Sequence, residues 1–416
     1  MSHEEQEFGP PGEREHLQPN DKSGGQAKFR RKMKRRYITA LVLLVLLFVI
    51  GFFLSVFPYG RATTRTMYIL PELLSASQPG LLTFAEEPIR HMQMTVPSLN
   101  GPVYLDLYVP TTSPPPIPGA REGLVVIPGA GDNRADPQLI NFSQAFARAG
   151  LVVMDMTTPT LLKWDMSAQD SDSVVQAFKT LAHWPGVAAN RIGIIGFSAG
   201  DALACFAAAD PRIRDQVAFI LLFGGYFNAT TLLRDVGRRA LTVDGRIQPW
   251  QPQYVPIQVL ANVIVPVLPP SEGTRLVNAL APGGKALTPA DLAQLSQDTV
   301  ASYHLLAGDE PARVDANITA LSPIIHSVLN ELSPSRVLDQ IQAPIYLLHD
   351  RNDQYVPFTE SRDFAAALTR NHQPHDFAEF GIFQHVEVKA DVNLGQLAGD
   401  FISLFRILNE ALLPGT

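Results

Sequence analysis

Between Gly123 and Leu413, short and almost wholly apolar runs alternate with amphipathic stretches, and few folds accept that pattern. The apolar runs read GLVVIPG, LVVMDM, RIGIIGF, VAFILLFG and APIYLLH. The stretches between them, such as PQLINFSQAFARAG, SDSVVQAFKTLAHW and AGDALACFAAAD, have helical periodicity. A strand that is apolar at successive positions is buried on both faces, so the pattern predicts a mostly parallel sheet sandwiched between helices: the α/β class. Ahead of it, HMQMTV and PVYLDLYVP flank the turn PSLNG and read as two more strands. TTSPPPIPGARE then reads as a proline-rich surface loop. The alternation lapses near Gly225 and resumes at Ala343 with a strand, the helix TESRDFAAALTR, the strand HDFAEFG and a last helix from about Leu394. The lapse runs to roughly 115 residues, too long for a loop. Its composition is mainly helical, and Thr288, Pro289 and Asp291 mark one helix start. A helical cap over the carboxyl edge of the sheet is expected, where open α/β sheets bind ligands.

Upstream lies one uncharged apolar run, Ile38 to Phe57 (ITALVLLVLLFVIGFFLSVF), preceded by Lys28, Arg30, Arg31, Lys32, Lys34, Arg35 and Arg36. About 20 such residues suffice to cross a bilayer as a helix. A cleaved signal peptide would have a shorter apolar region and a small-residue cleavage site, and FPYGRATTR supplies none. A retained, single-pass signal anchor is expected. The basic cluster places the N-terminus in the cytoplasm and the rest of the chain outside it, at the cell membrane. The first 27 residues are polar and rich in Gly, Pro and Glu, which predicts disorder. The expected division is 1–37 tail with the basic cluster, 38–57 transmembrane helix, 58–87 juxtamembrane linker, 88–225 first part of the α/β core, 226–341 cap, and 342–416 second part of the core.

Two function classes recede on composition. A net charge of -7, with no basic stripe beyond the N-terminus, argues against nucleic acid as a partner. A single cysteine, Cys205, rules out an intramolecular disulfide and a cysteine-built zinc site. Cys205 sits in an alanine-rich helical stretch and reads as a small buried apolar residue.

Chemistry concentrates where RIGIIGF meets SAGD. Gly196-Phe197-Ser198-Ala199-Gly200 fits G-x-S-x-G between a strand and a helix, a turn that exposes the serine hydroxyl at a helix N-terminus. A serine nucleophile needs a base, and the base an orienting acid. LLHDRNDQYVP ends one late strand, and FGIFQHVEV follows the last. With these residues the chain, from about His91 to Leu413 and apart from the cap, resembles the α/β-hydrolase superfamily, in its esterase and dienelactone-hydrolase-like part.

That resemblance implies an α/β-hydrolase fold and a Ser198–His385–Asp353 triad, with His385 in the loop after the last strand. Asp350 stands where the family usually has glycine and is a rival acid. The amides of Ala199 and Ala130 would form the oxyanion hole. Ala130 lies in Pro128-Gly129-Ala130-Gly131, where proline replaces the family's histidine. Asp201 stands where a small residue is common and reads as an early helix acid. His349 reads as packing at a strand end, His183 as a helix C-terminal residue, and His372 and His375 as surface residues. No cofactor or metal is implied.

The expected activity is hydrolysis of a carboxylic ester, small or lipid-like, through an acyl-enzyme. A peptidase, an acyltransferase and a catalytically silent binding protein are the alternatives. The apolar segment Tyr254 to Pro270 in the cap reads as a buried helix or as an apolar lid or acyl pocket.

Overall fold

The structure is a computed structural model and describes residues 22–74, 87–112, 120–389 and 394–413. Residues 1–21 of the stretch expected to be disordered, most of the proline-rich loop and the second half of the stretch read as a linker lie outside these residues; residues 22–27, also expected to be disordered, are helical. The chain divides into two compact units, Met1–Val56 and Phe57–Thr416. The first holds helix α1 (Lys22–Val56), whose segment Arg35–Val56 is long and apolar enough to cross a membrane. Its 22 residues would span about 33 Å, and side chains such as Leu44 and Phe48 are exposed along it.

The second unit opens with helix α2 (Pro58–Leu74), one residue after α1. This helix lies within the stretch read as a linker. It buries Ala62, Ile69 and Leu70 completely, and Arg65 Nη1 meets Glu122 Oε2 at 2.6 Å with both groups out of solvent. Glu72 pairs with Arg148 at 2.9 Å, and Thr63 Oγ1 donates to Asn409 Oδ1 at 3.1 Å.

Strands β1 (Ile89–Ser98) and β2 (Gly101–Pro110) pair as a hairpin turning at Ser98 and Gly101. Next come β3 (Arg121–Ile127), α3 (Pro137–Arg148), β4 (Val152–Thr157), α4 (Ser171–Ala182), β5 (Val187–Phe197), α5 (Ala199–Ala209) and β6 (Val217–Phe223). The insertion contains α6 (Ala229–Arg238), the ribbon of β7 (Ala240–Val243) and β8 (Arg246–Pro249), then α7 (Tyr254–Ile264) and α8 (Pro270–Leu280). It continues with α9 (Pro289–Leu292), α10 (Gln297–Ala307), α11 (Val314–Ala320) and α12 (Pro323–Glu331). Thr288 caps α9 in the reciprocal box its sequence implied. The chain then makes β9 (Ile345–Asp350), α13 (Phe358–Arg370), β10 (His375–Phe380), a small ribbon of β11 (Phe383–Gln384) and β12 (Glu387–Val388), and α14 (Leu394–Ala411).

Eight strands form one sheet in the order β1-β2-β4-β3-β5-β6-β9-β10. The β1–β2 and β2–β4 pairs are antiparallel, and every pair from β4 to β10 is parallel. This is the mostly parallel arrangement the sequence predicts, and the strand order is that of the α/β-hydrolase fold.

Side-chain alternation along each strand makes two cores. Val125, Ile194, Leu222 and Leu347 face Phe178, Leu203 and the insertion. Val126, Ile195, Leu221 and Leu348 face Phe146, Ile69 and Leu408, hence α3, α2 and α14. Cys205 is fully buried in the first of these cores.

Candidate active site

The serine turn is built by close contact. Ser198 has φ 54 and ψ −118, a conformation an L residue holds only when its surroundings enforce it. Its N–H donates to the Phe223 carbonyl at 2.9 Å, which ties the turn to the end of β6. A Cβ on Gly196 would come within 2.7 Å of the Asp201 backbone, and one on Gly200 within 2.4 Å of the Ile127 carbonyl. Both outer positions of the motif therefore require glycine. Ser198 precedes the first residue of α5, yet its side chain makes no capping bond, and Oγ has no hydrogen-bond partner among the described residues. The hydroxyl is left available at a helix N-terminus.

Asp201 lies in the first turn of α5, as its reading as an early helix acid implies, but it does more than meet the helix dipole. Its carboxylate is buried and turned back to accept the Phe223 amide at 3.2 Å. Gly225 packs against it so closely that a Cβ there would fall 2.1 Å from Asp201 Oδ2. Burial, against hydrogen bonds from the Phe223 and Gly225 amides, pushes its pKa well up. The helix periodicity that placed it on α5 gave no sign of this long-range bond.

His385 lies between β11 and β12 at φ 59, with its ring against Gly224, where a Cβ would meet Nδ1 at 3.1 Å. Its Nδ1 lies 2.6 Å from Asp353 Oδ2. The other oxygen, Asp353 Oδ1, accepts the amides of Tyr355 at 2.6 Å and Val356 at 3.0 Å. His349, fully buried, brings Nε2 to 3.3 Å from the same Oδ2 and to 3.0 Å from the Val356 carbonyl, while Nδ1 meets Ser361 Oγ at 2.7 Å. Burial works against an ionised Asp353, but the charge of His385 and hydrogen bonds from both histidines hold it well below the usual carboxylate range. The Tyr355 ring stacks on His385, with centroids 4.7 Å apart and planes at 18°. His349 thus supports the acid as well as packing at the strand end, a contact hidden in the sequence because it closes a loop of four residues.

Asp350 turns elsewhere. Its Oδ1 accepts the Asn352 amide at 2.8 Å, and among the described residues Oδ2 has Lys389 Nζ at 3.3 Å, without hydrogen-bond geometry. Burial raises its pKa. The structure therefore brings Asp353, and not Asp350, to His385. The remaining histidines stay apart from this group. His183 follows α4 with Nδ1 2.7 Å from the Lys179 carbonyl, His372 ends the turn before β10, and His375 begins β10.

Ala130 follows β3 in a loop pressed against the serine. A Cβ on Gly129 would sit 3.2 Å from Ser198 Cβ, and Gly131, at φ 109, leaves room only for the Trp164 ring. Asn133 Nδ2 donates to the Gly129 carbonyl at 2.9 Å. Because the peptide is planar and trans, fixing that carbonyl fixes the Ala130 N–H in the opposite direction. The Ala130 N–H has no acceptor among the described residues.

Ser198, His385, Ala199 and Ala130 all line one cavity of about 430 Å³. Helix α7 contributes Val255, Pro256, Val259, Leu260 and Val263 to its wall, so the apolar segment singled out in the cap faces the serine's cavity. The insertion is also pinned to the acid loop: Trp250 Nε1 donates to the Asp353 carbonyl and the Gln253 amide to the Gln354 carbonyl, both at 2.7 Å.

No protein-family model and no curated protein matches this chain. Among solved structures it is similar to a puromycin-hydrolyzing peptidase of Mycobacterium tuberculosis, at 15% identity and a TM-score of 0.47, over 80% of this chain and 40% of that one. It is similar to acetyl xylan esterase 1 of Thermoanaerobacterium sp. JW/SL YS485 at 13% identity and 0.44, over 84% and 92%. An esterase of the archaeon Pyrobaculum calidifontis gives 16% and 0.43, over 85% and 90%. The chain spans less than half the length of the peptidases it matches, and the fold assignment stands on this chain's own strand order.

Proposed function

We propose that this protein is a membrane-anchored serine hydrolase that cleaves carboxylic esters through an acyl-enzyme. The observation that carries the reading is the strained Ser198 sharing one cavity with a His385 held by the buried Asp353. Ser198 Oγ attacks the ester carbonyl carbon while His385 Nε2 takes its proton. The carbonyl π electrons move to oxygen, which the Ala199 and Ala130 amides receive. Collapse expels the alcohol with the proton from His385. Water, deprotonated by His385, then attacks the acyl-serine and releases the acid and Ser198. Asp353 stays ionised throughout and stabilises the imidazolium.

The apolar wall supplied by α7 supports an apolar ester over a peptide, whose amides would enter that wall without partners. The length of α1 and its basic flank support a retained anchor with the N-terminus in the cytoplasm at the cell membrane.

Labelling the full chain with a short-chain fluorophosphonate, beside Ser198→Ala, tests the nucleophile. One adduct on the wild type and none on the variant is expected. A folded wild type that takes no adduct would overturn the reading and leave a binding protein. Product analysis with matched ester, anilide and alcohol-acceptor assays then separates esterase, peptidase and acyltransferase, with free acid from the ester as the expected product.

A further inference from the structure

The cavity at Ser198 does not end on the sheet face that the insertion covers. Met166, Leu232 and Leu260 wall it there and belong to the core shared with α4, α5 and the insertion. Leu73, Leu404 and Leu408 wall it as well, and they pack in the other core, beneath α2, α3 and α14. Ser198 directly follows the carboxyl end of β5, and residues of both cores line the cavity it shares. Two of the polar side chains that line the second side, Asn141 and Asp136, are already engaged. Asn141 donates to the Glu72 carbonyl at 2.8 Å, and Asp136 accepts the Gln138 amide at 2.7 Å at the start of α3.

We propose that the arm walled by Leu73, Leu404 and Leu408 binds an unbranched hydrocarbon chain of the ester, so that the substrate is apolar on both sides of the scissile carbonyl. This rests on the hydrolase reading above. An ester with one apolar substituent would fill one side of the void and leave the other wall without contacts. The arm depends on α2, which enters the fold upstream of the sheet and contributes Leu73. Each methylene moved from water into such an arm is worth about fourfold in kcat/KM until the arm is full.

The test uses the full chain in detergent micelles with two ester series, one lengthening the acyl half and one the alcohol half. In the wild type, kcat/KM is expected to climb about fourfold per methylene in at least one series, and the responding series identifies which half enters the arm. Leu73→Trp is expected to lower the ratio of long-chain to short-chain kcat/KM at least tenfold. Leu73→Phe reads the same ratio should the larger side chain prevent folding, as judged by thermal melting. A flat profile in both series, or a rise that neither variant alters, overturns the proposal. If the wild type neither labels nor hydrolyses the shortest esters, the hydrolase reading itself fails. Binding of a fluorescent long-chain fatty acid then decides the arm: loss of binding in Leu73→Trp supports it, and no binding by the wild type overturns it.

Discussion

Asn133 holds the loop that carries Ala130. Removing its amide frees the Gly129 carbonyl and with it the direction of the Ala130 N–H. Loss of one oxyanion donor typically costs 10²–10³ in kcat. Asn133→Ala keeps the donor but not its aim, so kcat is expected to fall by about 10- to 100-fold with KM within about threefold, measured on a short ester. The two candidate acids separate just as sharply. Asp353→Asn leaves His385 in the wrong tautomer, and kcat should drop by about 10³–10⁴. Asp350→Asn, whose carboxylate reaches Asn352 and Lys389 instead, should stay within about tenfold. Equal losses in the two variants would remove Asp353 from its proposed role. Ser198 is legible in the sequence because its motif is local, whereas Asp353 and His385 are legible only through the resemblance to the α/β-hydrolase loops. Asn133 is not, since an asparagine in a glycine-containing loop reads as a turn former whatever its amide contacts.

Among the elements, α2 is the one the sequence conceals. Pro58, Gly60 and Pro71 read as breakers, and the bonds that seat the helix reach partners far along the chain, Glu122, Arg148 and Asn409. The strands are legible because burial on both faces writes itself as unbroken apolar runs; amphipathic docking against a distant ion pair leaves no such mark. A fragment starting at residue 75 should therefore be less stable than one starting at Phe57. It loses the burial of Ile69 and Leu70, worth about 1.5–3 kcal/mol each, and leaves Glu122 with Arg191 alone. Denaturant midpoints of the two fragments measure the gap, and equal midpoints would make α2 a passive passenger.

The seam between α13 and the insertion should respond to pH. Glu360 is buried and accepts the amides of Phe227 and Asn228 at 2.8 and 2.9 Å, with Thr231 Oγ1 at 2.5 Å. Burial outweighs these bonds and pushes its pKa from 4.5 to about 7. The folded state thus binds the proton more tightly than the unfolded one. The stability this supplies is complete below about pH 4.5 and is lost as pH rises through about 7, by up to about 1.4 kcal/mol per pH unit. Glu360→Gln should flatten that slope in unfolding curves taken between pH 5 and 8; an unchanged slope would place its origin elsewhere.

At the scale of the whole molecule, the sheet carries the serine turn and the acid–histidine pair, and the insertion is hydrogen-bonded to this part at Glu360, Trp250 and Gln253. The parts the chain order announces lie along the carboxyl edge, and the parts it conceals, α2 and the second arm, lie across the sheet from the insertion. Only Phe57 separates α1 from α2, and α2 is itself part of the fold. On the proposed anchoring, the protein and a lipid-borne ester would share one bilayer, and encounters between them would be lateral. The rate should then follow the mole fraction of ester in the vesicle and not its total concentration, so diluting the ester with inert lipid at constant amount should slow turnover in proportion. Unchanged turnover on such dilution would mean that the ester reaches Ser198 from water.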